Sequence, residues 1–289
     1  MWDYLTRENR YMGAGNDYSK ARVVIFGAPM DATVTLRPGA RFGPRHIRQV
    51  SEGLEEYSPY LDRDLAECRY FDAGDVVLPP GDVREGLLRI FRVAEQLFRE
   101  GKVPLLLGGE HLVTLPAVEA AARFFPDLAV VHLDAHLDLR DEYGGQKLSH
   151  ATVMRRVAEL IGGANVYQFG IRSGAREEFL YARRNTNLFF NDLVAPLKKI
   201  SGTLSERPVY VTLDIDVLDP AYAPGTGTPE PGGCSPQEII QFLNCLRELP
   251  VIGMDLVEVS PVYDPTERTS FLAAGLVREA VLAFDSFKR

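Results

Sequence analysis

Three short stretches bring together side chains that bind metal ions or move protons. The run VVHLDAHLD sets His132, Asp134, His136 and Asp138 at every second position. An extended chain turns alternate side chains to one face, so this spacing predicts that Asp134, His136 and Asp138 converge. LDIDVLDP gives Asp214 and Asp216 the same relation, and LLLGGEH delivers His111 after Gly108-Gly109, read as a tight turn. A single Asp after an apolar run is as often a cap as a ligand, and a lone His is usually a satisfied core residue. The set behaves differently. Four carboxylates and two imidazoles meeting in a low-dielectric pocket repel one another unless cations intervene. Two divalent ions would offset the four charges. Mixed carboxylate and imidazole ligation without thiolate suits Mn²⁺ better than a structural zinc.

Such side chains need rigid elements beneath them. Short apolar runs recur at Arg22–Phe26, Arg69–Phe71, Val103–Leu107, Leu128–Leu133, Asn165–Phe169, Asn187–Phe190, Pro208–Leu213 and Val251–Val257. Several are continuously apolar, as strands buried on both faces of a parallel sheet must be. Between them lie amphipathic patterns such as Val83–Arg99, and Ser235-Pro236-Gln237-Glu238 reads as a capped helix start. Alternation of this kind predicts an α/β fold. Periodicity leaves open an open twisted sheet or an eightfold barrel, and both place chemistry at the carboxyl ends of strands.

No linker or repeat divides the 289 residues, so a single domain spanning 1–289 is expected. A net charge of -8 offers no basic footprint for phosphate, which argues against a nucleic-acid partner. Three cysteines, Cys68, Cys234 and Cys245, form no CxxC pair, which predicts a reducing compartment without a disulfide framework. The N-terminal MWDYLTRENRYMGAGND has no apolar core, and no apolar run reaches membrane-spanning length. A cytoplasmic protein with no membrane partner is the expectation.

The segments GGEH (108–111), DAHLD (134–138) and DIDVLDPAYAPGTGTPEPGG (214–233) resemble the ureohydrolase family, which includes arginases and agmatinases. The likeness continues in order through RPGARFGP (37–44), LEEYSPYLDRDL (54–65), LSHATVMRR (148–156) and MDLVEVSP (254–261). It implies a three-layer α/β/α sandwich around an eight-stranded, mostly parallel sheet, a pair of Mn²⁺ ions, and a trimer or hexamer. It also implies the ligand sets: His111, Asp134, Asp138 and Asp214 for one ion, and His136, Asp134, Asp214 and Asp216 for the other.

The implied reaction is hydrolysis of a small cationic guanidine compound, with agmatine split to urea and putrescine for polyamine biosynthesis. Its relatives in reaction class are aminopropylagmatine ureohydrolase, guanidinobutyrase and arginase; a non-catalytic partner protein is disfavoured because all six ligands are present. Glu258 is expected to clamp the guanidinium, Asp138 to carry a proton to the leaving amine and His150 to shuttle protons. Thr228 matches a position near the guanidine, and Asp141 in the loop Leu139–Ser149 is expected to attract the substrate's free ammonium. His132, deeper in its strand, is read as a buried support for the ligands.

Overall fold

The computed structural model describes residues 1–285 except 8, 16 and 191. Its strands are β1 (Leu5–Thr6), β2 (Val23–Ala28), β3 (Tyr57–Ser58), β4 (Arg63–Asp64), β5 (Tyr70–Val76), β6 (Val103–Gly108), β7 (Ala129–Leu133), β8 (Val166–Ile171), β9 (Asn187–Phe190), β10 (Val209–Asp214) and β11 (Val251–Val257). The helices are α1 (Gly43–Ser51), α2 (Val83–Arg99), α3 (Thr114–Phe124), α4 (Val153–Ile161), α5 (Arg176–Asn185), α6 (Val194–Leu204), α7 (Pro236–Leu246) and α8 (Arg268–Asp285). Among the described residues no helix is long and apolar enough to cross a membrane.

Nine strands form one sheet in the order β1-β5-β2-β6-β11-β10-β7-β8-β9, so the open sheet, not the barrel, is the architecture. The eight strands expected from the apolar runs are all present and parallel. The ninth, β1, is a two-residue strand paired antiparallel to the edge of β5, too short to leave a period in the sequence. Alternate residues of the central strands feed two cores. Ile25, Leu105, Val131 and Val211 pack with α1, α6, α7 and α8, whereas Phe26, Leu106, Val130 and Tyr210 pack with α2, α3, α4 and α5. Three layers follow from that alternation.

β5 extends five residues beyond the expected Phe71. Asp72, Gly74 and Asp75 read as turn residues, but Arg48 of α1, 2% exposed, donates to both carboxylates and to the Gly74 carbonyl. Paired, they can stay in a buried strand.

The four middle strands, β6, β11, β10 and β7, are direct neighbours. Being parallel, they release their carboxyl ends along one rim; Asp214 ends β10, and the segments that follow the four strands carry His111, Glu258, Asp216, and Asp134 through Asp138.

Candidate metal centre and active site

The expected residues do converge, though not by strand alternation. β7 stops at Leu133, so Asp134 to Asp138 form a loop, and Asp216 sits in the 3-10 turn Ile215–Val217. The loop is shaped by hydrogen bonds: the His136 N–H donates to Asp134 Oδ1 at 2.6 Å, and the Asp216 N–H donates to Asp214 Oδ1 at 2.9 Å. Asp138 is turned back by a left-handed backbone at φ 52°, and Glu258 adopts the same region at 63°. Such strain in non-glycine residues is held by surrounding structure and concentrates at functional sites. Gly109 is needed for a close approach, not for a turn. A Cβ there would stand 2.0 Å from the Met30 carbonyl oxygen.

His111 Nδ1 lies 3.2 Å from Asp134 Oδ2, 3.2 Å from Asp138 Oδ2 and 3.3 Å from Asp214 Oδ2, yet has no hydrogen-bond partner. His136 Nδ1 lies 3.0 Å from Asp216 Oδ2 and 3.4 Å from Asp134 Oδ1. Ligand atoms on adjacent corners around a divalent ion, with bonds of about 2.1–2.2 Å, are about 3 Å apart. The donor spacing therefore fits two ions, with Asp134 facing both imidazoles.

Electrostatics point the same way. Burial and the Asp134 charge push the Asp138 carboxyl up to about 7; burial, Asp216 and Asp134 push Asp214 well above its ordinary value. Burial pushes Asp134 up, but the imidazoles of His111, His132 and His136 around it hold it well below the ordinary range. Carboxylates crowded in this way call for positive charge.

A row of polar residues supports the centre from below. Gln168, His132, Thr212 and Asp255 are successive cross-strand partners in β8, β7, β10 and β11, all fully buried. Gln168 Nε2 faces His132 Nδ1 at 3.1 Å, which leaves His132 Nε2–H to donate to Asp134 Oδ2 at 2.8 Å. His132, His111 and Asp134 place ligand atoms within 4.8 Å of one another, but that nitrogen is committed to Asp134 and supports a ligand. The Thr212 hydroxyl donates to Asp255 Oδ1 at 2.6 Å and so accepts from His111 Nε2 at 3.0 Å. His111 is thereby fixed with its Nδ1 lone pair toward the carboxylates.

A cavity of about 380 Å³ opens over the centre, and Asp138, Asp214, His136, His150, Thr228 and Glu258 reach it. Glu258 accepts the His111 N–H at 2.8 Å, and burial with the nearby Glu110 charge pushes its carboxyl up to about 8. The Thr228 hydroxyl donates to Asp216 Oδ2 at 3.3 Å. His150 begins a 3-10 turn; its N–H donates to Thr33 Oγ1, whose own hydroxyl bonds to buried Glu110, and its ring meets Tyr143 edge-on. Burial lowers the His150 pKa, which favours the neutral imidazole.

Asp141 is the exception among the expected site residues. It pairs with Arg156 at 2.9 Å and is not in the cavity wall. The acid that reaches the cavity from the same region is Glu178, which accepts the Leu139 and Ala175 N–H groups and lies 3.5 Å from Arg140.

Residues 21–283 match the model of the arginase family. The chain belongs to that family. It is 53% identical over 270 residues to the agmatinase of Bacillus anthracis, covering 92% of this chain and 93% of the relative. Among solved structures it is similar to the proclavaminate amidino hydrolase of Streptomyces clavuligerus, with a TM-score of 0.89, 34% identity and coverage of 97% and 98%. It is also similar to the agmatine ureohydrolase of Thermoplasma volcanium, with a TM-score of 0.85, 35% identity and coverage of 96% and 95%. Enzymes of that family are binuclear metal enzymes, and in this chain His111, His132 and Asp134, and Asp134, His136 and Asp216, form two groups that could hold a metal ion.

Proposed function

We propose that the protein is a two-manganese agmatinase, splitting agmatine into urea and putrescine. The carrying observation is His111 Nδ1, buried without a hydrogen-bond partner and facing three carboxylate oxygens beside the buried acid Glu258. The likeness to the Bacillus anthracis agmatinase supports the choice of substrate. One ion would be held by His111, Asp134, Asp138 and Asp214, the other by His136, Asp134, Asp214 and Asp216.

A guanidinium is a poor electrophile, because its charge is delocalised and persists at neutral pH. When bound, the two ions supply a nucleophilic water by lowering its pKa from about 15.7 to near 7. The chain's own groups do the rest. Glu258 accepts paired N–H bonds from the guanidinium and holds its carbon toward the centre. Thr228, at the same wall, fixes the orientation of Asp216. Asp138, reaching the cavity beside the centre, would relay a proton from the nucleophilic water to the departing amine nitrogen. His150, neutral and within the cavity, exchanges protons between the amine and solvent.

The far end of agmatine is an ammonium. Of the four carboxylates reaching the cavity, Asp138, Asp214 and Glu258 are assigned to metals and guanidinium, which leaves Glu178. Glu178 therefore replaces Asp141 as the acid that recognises the tail. A second reading rests on Arg140, which shares that wall and would favour a carboxylate tail, as in guanidinobutyrate. Steady-state kcat/KM for agmatine, aminopropylagmatine, guanidinobutyrate and arginine decides. Agmatine should lead by at least about tenfold, and guanidinobutyrate or arginine matching it overturns the agmatinase reading.

The resemblance further supports a cytoplasmic homo-oligomer, trimer or hexamer, acting in polyamine biosynthesis. Light scattering of the purified protein reads the subunit number.

A further inference from the structure

Arg172 follows β8 and uses its whole guanidinium on backbone oxygens. Nη2 donates to Asp216 O at 2.6 Å, Glu230 O at 2.7 Å and Leu218 O at 3.4 Å. Nη1 donates to Val217 O at 3.1 Å and Gly170 O at 3.3 Å; Nε donates to Glu230 O and Pro231 O, each at 3.2 Å. Every one of these acceptors is a backbone oxygen, although 40 of the 289 residues are acidic. The Arg172 charge acts on Asp219, but its hydrogen bonds go to carbonyl dipoles, which offset its partial burial and are held in place in return.

Those carbonyls belong to one side of the metal centre. The turn Ile215–Val217 carries Asp216, and the segment ending at Glu230 and Pro231 carries Thr228, whose hydroxyl reaches Asp216 Oδ2. The Arg172 and Ser173 N–H groups donate to Ala135 O at 2.8 and 2.9 Å, which fixes the chain beside His136. None of these contacts touches the segment that carries His111, and none is to Asp138 itself. A planar fork is suited to this task, because its five donors diverge in fixed directions; an ammonium cannot span the same set.

We propose that Arg172 is a positioning residue for the His136–Asp216 half of the centre, setting the affinity of that half for its ion and leaving the His111 half alone. The inference rests on the two-ion reading above. The test is Mn²⁺ binding to the metal-free full-length protein, by calorimetry and by the paramagnetic resonance of free Mn²⁺. Wild type, Arg172→Lys and Arg172→Met are compared, with thermal melts of each.

Wild type should bind two ions per chain. Both variants should keep one ion at wild-type affinity and bind the second roughly 10- to 100-fold more weakly, the usual effect of losing an outer support. At saturating Mn²⁺ kcat should largely return. Equal weakening of both ions together with a lowered melting temperature would mean a purely structural role and would overturn the proposal, as would two wild-type affinities. If Arg172→Met does not fold, Arg172→Lys keeps the charge and carries the same test. A wild type binding only one ion would defeat the two-ion reading instead, a distinct outcome.

Discussion

Replacing Thr212 by valine removes one hydroxyl and almost no volume, yet that hydroxyl lies between His111 Nε2 and Asp255 Oδ1 and also faces Thr114 Oγ1 at 3.2 Å. All four residues are fully buried. Thr212→Val strands the His111 N–H and an Asp255 oxygen, each costing about 1–3 kcal/mol. The expected destabilisation of the metal-free protein is therefore roughly 3 kcal/mol, with a melting temperature lower by about 5–10 °C. The ring loses the acceptor that fixes its tautomer, so affinity for the ion at His111 should fall about 10- to 100-fold, or about 1.4–2.8 kcal/mol. Thr212→Ser, which keeps the hydroxyl, is the control and should stay near wild type. Calorimetric Mn²⁺ titration and thermal melts read both effects. A valine variant that binds both ions at wild-type affinity refutes the claim that this row presets His111.

Asp214→Asn removes a shared negative charge and should abolish binding of at least one ion and lower turnover by more than about 10²-fold; metal analysis after dialysis checks it. Glu258→Gln should raise KM and lower kcat for agmatine while metal content stays at the wild-type value, because only a carboxylate complements the guanidinium. His150→Asn should lower kcat by about 10²-fold with little change in KM, and an unchanged kcat at neutral pH removes it from the proton pathway. Asp264 is held below the ordinary carboxylate range because hydrogen bonds from Thr266 and Thr269 outweigh the upward push of burial. Its folded value lies below the unfolded one, so it stabilises the fold above about pH 4 and that stability is lost as pH falls through the folded value. Asp264→Asn should thus melt earlier at pH 7 and show a shallower acid decline in melts run from about pH 7 to 3.

The eight parallel strands were legible because each is a short run apolar on both faces, and their starts were read to within one residue. The tail of β5 was not, since Asp72 and Asp75 are tolerated only through Arg48, more than twenty positions earlier. Among the site residues, the six proposed ligand side chains could be singled out by type and spacing. Their route to one point did not: backbone strain at Asp138 and the turn at Asp216 depend on tertiary contacts. Gln168, Thr212 and Asp255 were overlooked, although a signal existed. Each is a polar residue inside an otherwise apolar buried strand, where an unpartnered polar group is expensive. Arg172 gave no such sign, because its partners are backbone atoms scattered along the chain, and neither did Glu178, whose partners Leu139 and Arg140 lie nearly forty positions earlier. Asp141 stands outside the cavity wall for the converse reason, an exposed acid whose partner, Arg156, lies one helix turn into α4.

The central claim is a two-ion centre that hydrolyses a guanidinium with a cationic tail. It is tested most directly by adding Mn²⁺ stepwise to the metal-free protein while following urea and putrescine released from agmatine. The account predicts no product without metal, equimolar products with it, and activity that rises until two ions are bound per chain. Urea released by the metal-free protein, a plateau at one ion, or no urea at any Mn²⁺ concentration would contradict it.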